Sequence, residues 1–353
     1  MTAGVAIIGG AIMGSFCAWS LRQAGFAGQI TVVEKDPTYR FSSTALSAAA
    51  IRTQFGTPVN IAMSLHAIDL FRRIKAVFGA GADIGYREKG YLILGGPETV
   101  DARRAAARMQ RSHGADILAL TPDEIADRFP FLDLDGVGIG TFGASGEGWF
   151  DAWSLLSLVR AAAKAQGVTY VTGEASGFDL SSGRITGLRI GDQTLSCSIC
   201  ILAAGAASGA LMARLDQPLP VSPRKRTVFN FRAPVRHADF PMLFDTSGIW
   251  IRPEGEGYIG GIQPSHDPEA TGDFEPDHHL LEGPYWPALA TRIPAMEELR
   301  LERSWAGHYE VNALDPTACW ASMTRSRTLS SAPAFPVTAS CMPPPRGAAW
   351  RNL

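Results

Sequence analysis

Val5-Ala6-Ile7-Ile8-Gly9-Gly10-Ala11-Ile12-Met13-Gly14, continuing through Ser15 to Ala24 and on to Ile30-Thr31-Val32-Val33-Glu34, decides the fold of this chain. Val5 to Ile8 is a short unbroken apolar run, as expected of a strand buried on both faces. A glycine-rich turn follows, then a helical stretch, then a second apolar run that ends in an acid. This is a βαβ unit, and its turn is a GxGxxG fingerprint with Ala11 at the second glycine position. Gly9 permits the sharp exit from the strand, and Gly14 lets the helix approach the sheet. The segment Gly10, Ala11, Ile12 and Met13 brings free amides and the positive end of the helix dipole to a diphosphate. Glu34, with Lys35 beside it, stands where an acid accepts hydrogen bonds from a ribose. The Ala11 methyl reduces the closeness of approach to phosphate without forbidding it. The unit predicts dinucleotide binding and accommodates FAD and NAD alike.

Composition narrows the remaining choices. The chain has 353 residues, 46% of them hydrophobic, which is enough for one large composite unit or two domains and excludes global disorder. Its 32 basic side chains nearly balance 34 acidic ones, for a net charge of -2. That balance offers no electrostatic reason for a nucleic-acid partner. The five cysteines, Cys17, Cys197, Cys200, Cys319 and Cys341, are too sparse for a secreted disulfide scaffold. Cys197 and Cys200 form a lone CxxC without the second pair or histidines that a zinc site needs, so no metal is expected. Val5 to Leu21 lacks the basic flank of a signal peptide, and no run is long and apolar enough for a transmembrane segment. The expectation is a soluble, cytoplasmic protein.

The stretch Ser42-Ser43-Thr44-Ala45-Leu46-Ser47-Ala48-Ala49-Ala50-Ile51-Arg52-Thr53-Gln54-Phe55 resembles the small-residue segment after the second strand in the D-amino-acid-oxidase-like (DAO) superfamily of FAD-dependent oxidoreductases. Within it, the chain looks most like the branch of FAD-dependent oxidoreductase domain-containing protein 1 and sarcosine-dehydrogenase-like proteins. The resemblance continues through Tyr91 to Leu94, Phe129-Pro130, Gly146 to Asp151, Ile199 to Ala206, Ile251 to Glu254, and Trp305 to Glu310 with Asp315. It covers about residues 1 to 318, and the order of these motifs carries it more than any one of them. It implies FAD as cofactor, with Ser42, Ser43, Thr44, Ser47, Ala48 and Ala49 beside the flavin. Ala175 would meet adenine through its backbone, and Ala204 and Gly205 would lie near the diphosphate. The family's usual Trp is replaced by Ala207.

The resemblance also implies the chemistry. There is no GxSxG elbow and no HExxH, so redox chemistry must come from a cofactor. In the family, flavin N5 accepts a hydride from the carbon next to a substrate amine. The expected substrate is a small amino acid or N-methyl amino acid, sarcosine-like. An electron acceptor, whether oxygen, a quinone or a second flavoprotein, completes the cycle. Arg52 matches the family's carboxylate-binding arginine, in an Ile-Arg-x-x-aromatic-Gly context; a surface Arg capping the next helix is an equal reading. Tyr309 and Arg252 are weaker candidates for the substrate face, and His308 reads as a core imidazole. Arg224-Lys225-Arg226 reads as a solvated strand end. Two other functions fit the motifs: a flavin-binding assembly factor for a respiratory complex, and an NAD enzyme, against which the 42–52 segment speaks.

From Cys319 to Leu353 the pattern breaks. There is no Asp or Glu, and no helical or strand periodicity. With permitted GC-rich codons, the third base of each codon and the first two of the next convert Ala334 to Arg351 into FSGHGLMHAPAAGRGLAE, which resembles the family's C-terminal flavin motif. This reading predicts a frameshift near Ala318, an unpacked tail over 319–353, and impaired flavin chemistry; the alternative is a natural disordered basic tail. The expected fold is α/β: a Rossmann-like FAD-binding domain from 1–85, 151–220 and 301–318, interleaved with an antiparallel-sheet substrate domain from 86–150 and 221–300.

Overall fold

A computed structural model describes residues 4–182, 184–214, 218–234, 236–313, 321–322 and 329–331. The opening unit forms as its pattern predicts: β1 (Val5–Ile8), α1 (Ile12–Gln23) and β2 (Ile30–Glu34). Strand β1 is buried at every position, because the sheet is covered on both faces. It pairs in parallel with β2 on one side and with Ile199–Leu202 on the other, and Thr169–Thr172 extends the sheet beyond β2. At the opposite edge Leu329–Ser331 pairs in parallel with Cys200 to Leu202, and Ala321–Ser322 pairs antiparallel with it. The rest of the 319–353 stretch, and with it the expectation of an unpacked tail, lies outside the described residues.

Two layers cover this sheet. On one face α1 packs against the helix Ala152–Ala165, burying Phe16, Cys17, Leu155, Leu156 and Val159 in one cluster with Ile7 and Val32. That helix starts where Asp151 accepts a hydrogen bond from the Ser154 amide, a side-chain N-cap. On the other face a three-stranded antiparallel sheet, Ala175–Ser181, Arg184–Ile190 and Gln193–Ser196, packs Phe178, Ile185 and Leu188 against Ala6, Ile8 and Leu202.

The second domain is an eight-stranded sheet. Its neighbours, in order, are Arg300–Asn312, Val221–Arg232, Gly257–Ile262, Ile249–Glu254, Met242–Phe244, Tyr91–Gly95, Ile139–Gly143 and Ile117–Leu120. All pairs are antiparallel except Met242–Phe244 with Tyr91–Ile93. Here the boundary read from the sequence needs correction. Arg300–Asn312 bonds along its length to Val221–Arg232, so 301–312 belongs to this sheet rather than to the FAD-binding segments. A strand's periodicity marks its existence, but its partner is fixed by long-range pairing. The basic triplet needs correction as well. Arg224, Lys225 and Arg226 lie inside the Val221–Arg232 strand; Lys225 pairs with Asp273 at 2.7 Å and Asp277 at 2.8 Å, and Arg226 forks onto both oxygens of Asp267.

Candidate functional site

The proposed cofactor residues gather at the carboxyl ends of the parallel strands. Gly9 follows β1, Lys35 follows β2, Ala175 comes three residues after Thr172, and Ala204 and Gly205 follow Leu202. The chain leaves β1 toward β2 on one side and reaches Ile199–Leu202 on the other, so β1 is the switch point at which such sheets open a crevice.

The turn is built for close backbone approach. Gly9 has φ +94°, and a Cβ there would stand 2.3 Å from the Ala203 carbonyl oxygen. A Cβ on Gly10 would meet the Tyr39 hydroxyl at 2.9 Å. Helix α1 has Ala11 at its N-cap, with no side-chain cap and no acid in its first turn, so no side chain of its own occupies its positive end. The Ile12 amide reaches only a long contact, 3.4 Å, with Thr44 Oγ1. The partly buried Met13 flanks the same end. Glu34 Oε2 accepts from the Gly10 amide at 2.7 Å and Oε1 from the Asp36 amide at 2.9 Å, which orients the carboxylate while each oxygen keeps a free lone pair. Lys35 is exposed. A narrow cradle, an uncapped helix start and an oriented acid fit a diphosphate and a ribose.

The 42–49 segment folds beside this turn. Ser42 caps the short helix Ser43–Leu46 by accepting from the Ala45 amide. Thr44 is buried, and its carbonyl accepts from Ser47 Oγ at 3.0 Å. Ala49 has φ +48°, a left-handed conformation that a non-glycine residue adopts only under constraint. Ser43 Oγ lies 2.6 Å from Glu310 Oε1 on the strand Arg300–Asn312, so the segment is stitched to the second domain. Ala204 is partly buried; Gly205 has φ +54°, and its missing Cβ faces Glu310. Ala175 starts its strand buried, its carbonyl accepting from Arg214 at 3.3 Å.

Arg52 and Tyr309 lie close enough that the guanidinium opposes the rise in the Tyr309 pKa that burial causes. The Arg52 guanidinium lies over Phe55, 4.9 Å from its centroid, and 5.9 Å from that of Tyr91. Its Nε is buried and has no partner among the described residues. The neighbouring arginines are committed elsewhere. Arg252 donates to the carbonyl oxygens of Ala48 and Pro253 and pairs with Glu254, so it is a buried strut that ties the 42–49 segment to the sheet. Arg226 lies over Tyr309 while forking onto Asp267. His308 is a core imidazole, as read from the sequence: buried, stacked on Phe274 and held by the Asp273 carbonyl.

Two acids escaped the sequence reading. Glu147 is buried; Oε1 accepts from the Thr53 amide and hydroxyl, each at 2.6 Å, and Oε2 from Gln54 Nε2 at 2.8 Å. Burial raises its pKa, against those hydrogen bonds and the nearby Arg52 charge. Glu310 is buried too, and desolvation pushes its pKa up to about 7, opposed by the Ser43 contact. Neither carries a local signal in the sequence: Glu147 lies in the turn before Gly148–Trp149, and Glu310 shares its strand with Arg300, Glu302 and Arg303. Among the described residues no cluster of His, Cys, Asp or Glu could hold a metal, and no helix is long and apolar enough to cross a membrane. Cys17, Cys197 and Cys200 are buried free thiols.

A family model described as FAD dependent oxidoreductase (DAO) matches residues 4–319. The chain belongs to this family. It is accordingly a flavin oxidoreductase whose cofactor is FAD. FAD-dependent oxidoreductase domain-containing protein 1 of Xenopus laevis is 36% identical over 354 aligned positions, 89% of this chain and 71% of that protein. Glycine oxidase of Pseudomonas putida is 25% identical over 313 positions, covering 87% of this chain and 82% of the relative. Among solved structures, L-proline dehydrogenase from P. horikoshii superposes with a TM-score of 0.86 at 22% identity, over 97% of this chain and 90% of the other. At that identity the likeness establishes the fold alone. It bears out the α/β reading with a Rossmann-like sheet and an antiparallel companion.

Proposed function

We propose that this protein oxidises the C–N bond of a small amino acid or N-methyl amino acid, sarcosine-like, to an imine that water then hydrolyses. Bound FAD supplies the hydride acceptor at N5. The observation that carries the reading is the guanidinium of Arg52, set over two aromatic rings with a buried Nε that lacks a partner among the described residues. A fork of parallel N–H donors matches a carboxylate, and holding the substrate in register supplies much of the rate. Tyr91 and Phe55 exclude water from one side of that fork, which strengthens its hold on an anion. Tyr309, whose hydroxyl burial pushes above its ordinary pKa, borders the same place. The likeness to a glycine oxidase supports a small amino-acid substrate. The residues set around the turn, from Gly9 to Gly14, Glu34, the 42–49 segment, Ala175, Ala204 and Gly205, hold the cofactor.

Anaerobic mixing of the flavin-loaded protein with sarcosine, glycine and proline tests the proposal. Bleaching of the visible flavin bands by one of them is the expected result. Tight FAD binding with no bleaching by any small amino or N-methyl amino acid would sink it, and would favour a flavin-binding factor without turnover.

A frame shift near Ala318 accompanies this reading. It is supported by the composition of 319–353 and by a family match that runs to residue 319. The DNA across that codon tests it; an intact frame in an independently sequenced gene would dismiss it.

A further inference from the structure

Ser43 has one hydroxyl proton and two oxygen neighbours. Its Oγ lies 2.9 Å from the His308 carbonyl oxygen and 2.6 Å from Glu310 Oε1. A backbone carbonyl only accepts. If the Ser43 proton goes to His308, the shorter contact needs a proton from the carboxyl group. If it goes to an ionised Glu310 instead, two lone-pair oxygens are left facing each other at 2.9 Å. A protonated Glu310 donating to Ser43, with Ser43 donating to His308, satisfies both contacts.

The surroundings agree. Neither 42–47 nor 203–208 contains an ionisable side chain. Pro223 stands opposite Glu310 on the neighbouring strand. Lys225, two positions on, is held by Asp273 and Asp277; Arg224 donates to the Asp267 carbonyl, and Arg226 pairs with the Asp267 carboxylate. On its own strand the titratable neighbours are Tyr309 and His308, the latter bonded to the Asp273 carbonyl. Among the described residues, then, no cation is bonded to Glu310. Burial without a counter-ion pushes its pKa up to about 7. The acid also borders the turn assigned to the cofactor: a Cβ on Gly205 would lie 2.8 Å from Glu310 Oε1.

We infer that Glu310 is a neutral carboxylic acid of the FAD site, and that its protonation gates cofactor binding. The protonated acid bridges the Ser43 helix to the second domain and adds no charge beside the diphosphate. The ionised form loses the donor to Ser43 and places an anion where another anion must settle. Binding of FAD therefore takes up a proton from solvent at Glu310 whenever the apo-protein starts with the acid ionised. The inference rests on the assignment of Ser43 and Gly205 to the cofactor site and is independent of the substrate.

The test titrates FAD into the full-length apo-protein, following quenching of flavin fluorescence, from about pH 5.5 to about pH 8.5. The wild-type Kd should rise about tenfold or more across that range, and Glu310→Gln should hold the low-pH affinity throughout. Proton uptake in weakly buffered solution needs no variant: roughly one proton per FAD is expected at about pH 8, and little at about pH 5.5. Equal pH profiles in the two proteins, or tight binding without proton uptake in the wild type, would overturn the inference while leaving FAD as the cofactor. Absence of FAD binding at every pH would instead remove the cofactor assignment on which the inference rests.

Discussion

Gly14 and Gly9 meet through bare backbone: a Cβ on Gly14 would stand 1.8 Å from the Gly9 carbonyl oxygen. Neither partner is a flexible side chain that could swing away. Gly14→Ala should therefore push α1 off the sheet and destabilise the protein by about 1–3 kcal/mol. Thermal unfolding and the flavin content of the purified variant check it, and both should fall together.

Glu34 organises the other side of the turn by holding the Gly10 and Asp36 amides at once. Glu34→Ala removes two hydrogen bonds to a charged acceptor as well as the candidate ribose ligand. A weakening of FAD binding by at least tenfold, about 1.4 kcal/mol, is expected. Fluorescence titration measures it. Glu34→Gln should recover part of the loss.

The carboxylate fork separates Arg52→Lys from Arg52→Met. Lysine keeps the charge but loses the parallel pair of donors, so KM for an amino-acid substrate should rise about tenfold and kcat should change less. Methionine keeps only the apolar stem and should cost about a hundredfold or more in kcat/KM. An amine lacking a carboxylate should be insensitive to both changes.

Glu147 holds three donors of the loop that carries Arg52. Glu147→Ala strands them in the interior and should cost roughly 3 kcal/mol or more. In Glu147→Gln the amide oxygen can still accept from Thr53, but the new NH2 group faces the Gln54 Nε2 donor, which the Tyr91 carbonyl holds in place. Chemical denaturation should rank the wild type first, Glu147→Gln second and Glu147→Ala last.

Stability of the apo-protein should carry the signature of Glu310. Its folded pKa, about 7, lies above the ordinary 4.5. The contribution is thus fully present below pH 4.5 and is lost as pH rises through about 7. The loss amounts to roughly 3 kcal/mol. The difference between wild type and Glu310→Gln, measured by urea unfolding on either side of that window, isolates this group from Glu147, whose burial acts in the same direction.

The cofactor half of the fold was legible because its signals are local. Strand, tight turn, helix and terminal acid between Val5 and Glu34 are contiguous, and each position has its own steric or electrostatic reason. The 42–49 segment was recognisable by its small residues. Glu147 and Glu310 were not, since their roles arise only when Thr53 meets a residue 94 positions away and Ser43 one 267 positions away. The same distance in sequence hid the partner of Arg300–Asn312 and made Arg224 to Arg226 look like a solvated end, although the acids that neutralise Lys225 and Arg226 lie more than 40 positions beyond. Arg252 resembled a substrate contact because its carbonyl acceptors leave no trace in composition.

The register of β1 also constrains how the chain comes off the ribosome. Val5 bonds to β2 soon after synthesis begins, but its other neighbour is Ile199. At typical rates of about 5–20 residues per second, the first strand waits roughly 10–40 s with one flank open. A nascent chain halted short of that point displays a bare apolar ribbon ready to pair with any other strand, so this stretch of translation is where a holdase would be needed most.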